Sequence, residues 1–112
     1  MIMEFVRTGP GGHKLEGILK KQRASHTTIT CLNKFIEQID NRLSYRGIYY
    51  RVHTHSRGLT YFPSEEDRPK AFWINIYKNW FAIAYTDKDG EHSKRVFDGN
   101  LGIMLDFAEG LF

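Results

Sequence analysis

The sequence has a single cysteine and no long apolar run, and each absence excludes a class of protein. Cys31 is the only cysteine among 112 residues, so the chain cannot form an internal disulfide or a metal site with several cysteine ligands. No apolar stretch approaches the roughly 20 residues that a membrane-spanning helix requires. The first residues lack the basic-then-apolar layout of a signal peptide. We therefore expect a cytoplasmic protein without a membrane partner.

The sequence also lacks a phosphate-binding loop. The glycine-rich segment 9–12 has no following Lys-Ser/Thr pair and no long buried strand before it. No other motif identifies a cofactor, and we predict none. Hydrophobic residues make up 41% of the chain and charged residues 26%, which is typical of a folded protein. The length fits one domain over residues 1–112.

Positive charge is concentrated in the first half of the chain. Residues 1–60 hold 10 Lys and Arg against 4 Asp and Glu, whereas residues 61–112 hold 6 against 9. The net charge is +3. This asymmetry is compatible with a basic face that meets phosphate, although a moderate surplus is also common on inert surfaces.

Residues 71–97 contain three runs rich in aromatic and β-branched residues, separated by Lys78-Asn79 and by Asp89-Gly90. Such runs joined by short polar turns predict a three-strand meander. If both turns have two residues, Trp73 pairs with Ala84 and Val96 lies beside Ile83. One face is then apolar and forms the core, with Phe72, Ile74, Ile76, Phe81, Ile83 and Val96. The other face carries Trp73, Asn75, Tyr77, Trp80, Ala82, Ala84, Ser93, Arg95 and Phe97.

Three further segments have helical periodicity. The first covers residues 13–24, and the last covers Leu101 to Leu111. The central helix, Thr27 to Leu43, can be capped by Thr27 or Thr28 and is expected to lie across the core face of the sheet. Its apolar stripe is Leu32, Phe35, Ile36, Ile39 and Leu43, and its outer face is Asn33, Lys34, Glu37, Asp40 and Asn41.

The remaining segments predict strands and one surface loop. Residues 1–8 suit an edge strand, 47–54 and 59–62 suit a hairpin, and the proline-bounded segment 63–70 suits a loop. The order of elements predicts an α+β fold. We expect a mostly antiparallel sheet of about five strands, with two to three helices packed on it in a single compact domain.

The second face of the meander is the leading candidate for function. Trp73, Tyr77 and Trp80 offer flat rings and Arg95 a cation, the combination that holds single-stranded nucleic acid. The alternative is that the C-terminal helix covers this face, because large aromatic residues are usually buried. The layout of residues 71–112 resembles the single-strand-binding sheets of the Whirly and PUR families in topology, without a shared motif.

Two basic strips lie outside the meander. Lys20, Lys21 and Arg23 follow one another on the first predicted helix. The other strip alternates along the 47–54 strand and its turn, and its members are Tyr49, Arg51, His53, His55 and Arg57. His53-Thr54-His55 could supply two ligands to a metal, but a site needs a third ligand that the sequence does not identify. We therefore predict no metal site.

Three functions fit these features. The first is a non-enzymatic module that binds nucleic acid, preferably single-stranded. The second is a protein–protein or inhibitor module, of the phage or mobile-element accessory type, that acts on a nucleic-acid-handling complex; the apolar C-terminal helix would then contact a partner or a second copy. The third is a small ribonuclease that uses Tyr49, Arg51 and His53 or His55 in general acid–base catalysis.

Overall fold

The computed structural model describes residues 11–63 and 71–112. Three helices and five strands are present there, and the strands form one antiparallel sheet in the order β1-β2-β3-β4-β5. The elements are α1 (Gly11–Lys21), α2 (His26–Tyr45), β1 (Tyr50–His55), β2 (Gly58–Pro63), β3 (Phe72–Ile76), β4 (Phe81–Asp87), β5 (Gly90–Val96), a 3₁₀ turn (Asp98–Asn100) and α3 (Leu101–Gly110). The α+β prediction is confirmed. The predicted strand 1–8 and most of the predicted loop 63–70 lie outside the described residues.

All three helices contribute to one core on one face of the sheet. The predicted stripe of α2 is fully buried, and Phe35 meets Phe81 of β4 edge-on, with ring centroids 5.4 Å apart. Each buried side chain of this size contributes about 1.5–3 kcal/mol. Leu15 and Leu19 of α1 are buried in the same cluster. None of the helices in the described part of the chain is long and apolar enough to cross a membrane.

Helix α3 also packs on the core face, where Met104, Leu105 and Ala108 are buried. The alternative that this helix covers the second face of the meander is therefore wrong. Arg42 of α2 also contacts α3, with its Nη1 2.6 Å from a carboxylate oxygen of Asp106. The hydrogen bond to that carboxylate raises the pKa of the Arg42 guanidinium.

One half of the predicted meander register is confirmed and the other half is wrong. Strands β3 and β4 pair as predicted, with Trp73 opposite Ala84. Strand β5 is displaced by two residues, so that Val96 pairs with Phe81 instead of Ile83. The turn residues are Lys88 and Asp89, neither of which has a positive φ, and Gly90 takes φ +115° in the first position of β5. Because the shift is an even number, every predicted face is retained.

The carboxylate of Asp87 explains the position of this turn. Its Oδ1 accepts the backbone N–H of Asp89 at 2.8 Å and a hydrogen bond from His92 Nε2 at 2.9 Å. These contacts stabilise the ionised form, so the pKa of Asp87 is lowered, with the backbone hydrogen bond as the largest cause. An aspartate at the first turn position favours a turn that starts there.

Two predictions about α2 were wrong. Its N-cap is Ser25, whose Oγ accepts the backbone N–H of Thr28 at 3.2 Å, and not Thr27 or Thr28. Asp40 is buried instead of lying on the outer face, and the Tyr50 hydroxyl donates a hydrogen bond to it. A buried carboxylate needs such a donor, which β1 brings within reach only in the folded chain.

Candidate nucleic-acid interface

The sheet has an outer face that points away from the helices. No described helix packs on this face, which explains why several of its large side chains retain exposed surface. Its members come from all five strands and the residues that adjoin them. They are Arg51, His53 and His55, then Gly58, Thr60 and Phe62, then Trp73, Asn75 and Tyr77, then Trp80, Ala82, Ala84 and Thr86, and finally Glu91, Ser93, Arg95 and Phe97.

Tyr77, Trp80 and Arg95 form an aromatic cluster at one end of the outer face. The rings of Tyr77 and Trp80 have centroids 5.4 Å apart and are tilted by 32°, and both are half-buried. The Arg95 guanidinium carbon lies 4.2 Å from the centre of the Trp80 ring, within cation–π distance. Asn100 Nδ2 donates to the Arg95 carbonyl at 3.0 Å and so holds the backbone of Arg95. The cluster therefore combines two flat rings with an exposed cation.

Hydrogen bonds from the α1–α2 connection hold the turn that carries these two rings. Ser25 N–H and the Thr28 hydroxyl both donate to the Lys78 carbonyl at 2.8 Å. Gln22 Nε2 donates to the carbonyl of Ile76 at 3.1 Å. The Lys78-Asn79 turn is thus fixed from the helical side of the sheet, and the positions of Tyr77 and Trp80 are fixed with it.

The same end of the molecule collects positive charge. The β1–β2 turn reaches it as well, since the Ile76 N–H donates to the Arg57 carbonyl at 2.8 Å. We call this region the basic end and define it by six exposed cationic side chains, which are Lys20, Lys21, Arg23, Arg57, Lys78 and Arg95. They come from four segments that are distant in sequence.

Arg23 has an unusual backbone conformation. Its φ is +55°, and it ends α1 with hydrogen bonds from Arg23 N–H to Lys20 O at 3.1 Å and from Ala24 N–H to Leu19 O at 3.0 Å. This is the Schellman arrangement, in which the left-handed position is normally glycine. An arginine there costs about 1 kcal/mol relative to glycine. The cationic side chain of Arg23 thus occupies a position where glycine would make the protein more stable.

The dipole of helix α2 adds to the positive potential at this end. The N-terminus of α2 lies there, and its first turn contains no acidic residue to offset the helix dipole. Two acidic residues of the described chain lie nearby: Asp98, and Glu16, which lines a cleft together with Lys20 and Arg23. The opposite end of the sheet carries the β4–β5 turn with Asp87, Asp89 and Glu91, and it also carries Lys88 in that turn and Arg51 near the start of β1. The β4–β5 turn is therefore net negative, in contrast to the basic end.

The predicted strip on β1 also lies on the outer face. The Arg51 guanidinium lies 5.7 Å from the Phe62 ring centre, and His53 meets the same ring edge-on at 5.3 Å. Tyr49, which precedes β1, is 84% exposed. His55 is engaged in the turn, where Nδ1 accepts from Arg57 N–H at 3.2 Å and Nε2 lies 3.1 Å from the Leu59 carbonyl.

No group of three or more His, Cys, Asp or Glu residues in the described ranges is placed to hold a metal ion. Cys31 of α2 is buried, with 3% of its surface exposed. Burial, followed by the charge of Asp98, raises the pKa of its thiol. A thiol in this environment is held in its unreactive protonated form.

Sequence reasoning missed Lys78 and Phe62 as members of these surfaces. Lys78 was interpreted only as a turn residue, although its position between Tyr77 and Trp80 indicates that it lies beside both rings. Phe62 ends the predicted 59–62 strand, and its place beside Arg51 depends on a pairing between β1 and β2 that no single residue indicates.

Comparisons with protein-family models, with curated proteins and with solved structures find no match to this chain. Its function must therefore be inferred from the geometry and charge described above.

Proposed function

We propose that the protein is a non-enzymatic module that binds single-stranded nucleic acid on the outer face, with phosphates held at the basic end. The observation that carries this proposal is the placement of Tyr77, Trp80 and Arg95 directly beside the basic end, on a face that no described helix covers. Rings that stack on bases and cations that follow the backbone are the two components of single-strand binding.

The shape of the surface favours a single strand over a duplex. The rings lie on a sheet, and the floor between the cluster and Trp73 consists of the small residue Ala82 and the side chain of Asn75. Bases of a single strand are free to lie flat on such rings, whereas the bases of a duplex are stacked on one another. The outer face therefore suits unpaired bases.

The test is the salt dependence of binding. We expect labelled single-stranded DNA or RNA to bind at about 50 mM salt and to bind much more weakly at about 200 mM, because phosphate contacts release counterions. Removing Lys20 and Lys21 together, as alanines, should make the slope of log K against log salt shallower by about 1.4, which is about 0.7 for each lost phosphate contact. Fluorescence anisotropy measures both quantities, and gel analysis of the oligonucleotide afterwards reports any ribonuclease activity.

A matched double variant controls for the loss of charge. Lys88 and Lys94 are exposed and lie outside the basic end, in the β4–β5 turn and on β5. Replacing both by alanine changes the net charge equally but should leave the salt slope nearly unchanged. Absence of binding at the lower salt concentration, or equal slopes in the two double variants, would refute the proposal.

A protein partner is the second candidate, because an apolar cleft lies between α1 and α2. Its volume is about 360 Å³, its apolar lining comes from Leu19, Ala24 and Ile29, and its charged lining comes from Lys20, Arg23 and Glu16. Because the two cations outnumber Glu16, the cleft fits an acidic segment that inserts one apolar side chain. Binding at such a cleft would depend less on salt than phosphate binding and would not require Trp80.

Replacing Arg23 by glycine should raise stability and weaken binding in the same variant. Relief of the left-handed strain should increase the free energy of unfolding by about 1 kcal/mol. Loss of one phosphate contact should make the salt slope shallower by about 0.7. Chemical denaturation and anisotropy measure the two effects. A stabilised variant that binds as tightly as the original would show that Arg23 does not contact phosphate.

A further inference from the structure

A groove on the outer face lies away from the basic end and has a different chemistry. Its volume is about 340 Å³, at the lower end of the roughly 300–1,000 Å³ that ligand clefts enclose. Trp73 and Ala84, which are directly opposite each other, contribute its apolar surface. Asn75, Thr86 and Glu91 contribute its polar groups. The groove is therefore suited to one flat ring with polar edges.

The polar groups of the groove have a defined hydrogen-bonding capacity. Thr86 and Glu91 are paired across β4 and β5, and Asn75 lies two residues along β3 from Trp73. The Asn75 amide and the Thr86 hydroxyl each donate and accept, whereas the Glu91 carboxylate only accepts. Glu91 is exposed, and a ligand in this groove that presents a hydrogen-bond donor towards it would gain a charge-assisted hydrogen bond.

Glu91 distinguishes this groove from the phosphate-binding surface. A carboxylate repels phosphate, so its presence beside an aromatic wall contributes nothing to holding a nucleic-acid backbone. A carboxylate does accept hydrogen bonds from the exocyclic amino group of a base, as acidic side chains do from cytosine N4. The groove therefore fits a base edge better than a phosphate group.

We infer that this groove is a base-recognition site in which Trp73 stacks on one unpaired base and Glu91 selects a base that carries an amino group. Cytosine satisfies Glu91 through its N4 amino group, whereas thymine presents the O4 acceptor at the same position and opposes the carboxylate. Glu91 is thus a specificity-determining residue. This inference rests on the proposed single-strand binding.

The test compares oligo(dC) with oligo(dT) of about 12 nucleotides, which is within the range of single-strand site sizes. These two probes have the same backbone and ring size; cytosine carries the N4 amino group, whereas thymine carries O4, a hydrogen on N3 and a C5 methyl group. At neutral pH and fixed salt, we expect the unmodified protein to bind oligo(dC) about tenfold more tightly than oligo(dT). In Glu91→Gln, which can donate to thymine O4, the ratio should fall towards one and oligo(dT) should bind more tightly.

Asp89→Asn provides the matched control. It removes one negative charge from the same end of the sheet, two residues from Glu91 and outside the groove. The dC-to-dT ratio should be unchanged in this variant. Equal binding of both probes by the unmodified protein, or a ratio that survives Glu91→Gln, would overturn base selection while leaving single-strand binding intact. Binding of neither probe would overturn the proposed function and this inference together.

Discussion

Replacing Gly58 by alanine is expected to destabilise the protein by about 3 kcal/mol or more, because the strand has no room for a Cβ atom there. A Cβ built on Gly58 would lie 1.9 Å from the carbonyl oxygen of Ile74 on the neighbouring strand. That oxygen belongs to the backbone, so a side-chain rotation cannot relieve the contact. Separation of β2 from β3 would relieve it, at the cost of their pairing. Chemical denaturation measures the change in the free energy of unfolding.

Gly17→Ala is the matched control, since the same substitution there should have the opposite sign. Gly17 lies within α1, and a Cβ atom at this position meets nothing within 4 Å. Alanine is better than glycine in a helix by about 0.8–1.0 kcal/mol, so the variant should be more stable. A Gly58→Ala protein that unfolds at the same denaturant concentration as the unmodified protein would contradict the close approach of β2 to β3.

Gly58 also illustrates what the sequence alone could not show. From the sequence alone, Gly58 is interpreted as the end of a turn after Ser56 and Arg57, because glycine is common in turns. Its actual constraint comes from Ile74, which is 16 positions later in the chain. Such an approach between strands exists only once the sheet order is known.

The register of β3 and β4 could be predicted, whereas that of β4 and β5 could not. Around Lys78-Asn79, apolar side chains alternate on both sides, so a shift of one residue would expose the core face. Around Lys88-Asp89 the two competing turns give strand registers that differ by two residues, and both registers leave the core face buried. The hydrogen bonds to the Asp87 carboxylate decide between the two registers, and the alternation of apolar and polar residues does not indicate those hydrogen bonds.

The candidate site divides in the same way. The faces of Trp73, Tyr77 and Trp80 followed from strand alternation. Strand alternation could not show whether α3 covers these side chains, because the apolar side chains of α3 are compatible with either face of the sheet.

The basic end could not be predicted from the sequence for a different reason. It requires the end of α1, the start of α2 and two strand turns to meet, which hydrogen bonds to backbone carbonyls of the turns bring about.

The features of the outer face follow one another in a fixed order along the strands. Cations are concentrated at one end, followed by the aromatic cluster, then the small residue Ala82, and then the groove with Glu91. Successive outward-facing residues on a strand are about 6.6–6.8 Å apart, so Trp73 lies about 13 Å from Tyr77 along β3. If a nucleic-acid single strand binds at the basic end as proposed, it has to cross the aromatic cluster before one of its bases reaches the groove.

Replacing Trp80 by alanine is therefore expected to cause the largest single loss of binding. Stacking of one base on an aromatic side chain contributes about 1–3 kcal/mol, which corresponds to a loss of roughly 5- to 150-fold in affinity. The substitution also removes the ring against which Arg95 is held, 4.2 Å from its centre. Anisotropy with labelled single-stranded DNA at low salt measures the loss, and chemical denaturation verifies that the variant is folded.

Two further variants separate stacking from other effects of the Trp80 substitution. Trp80→Phe retains a flat ring at the same position and should preserve most of the affinity. Tyr45→Ala removes an aromatic side chain that is 94% exposed at the far end of α2, and it should not change binding. Equal losses in Trp80→Ala and Trp80→Phe would mean that the indole makes a contact other than stacking. Unchanged binding in the folded Trp80→Ala protein would exclude the aromatic cluster as the surface that holds the single strand.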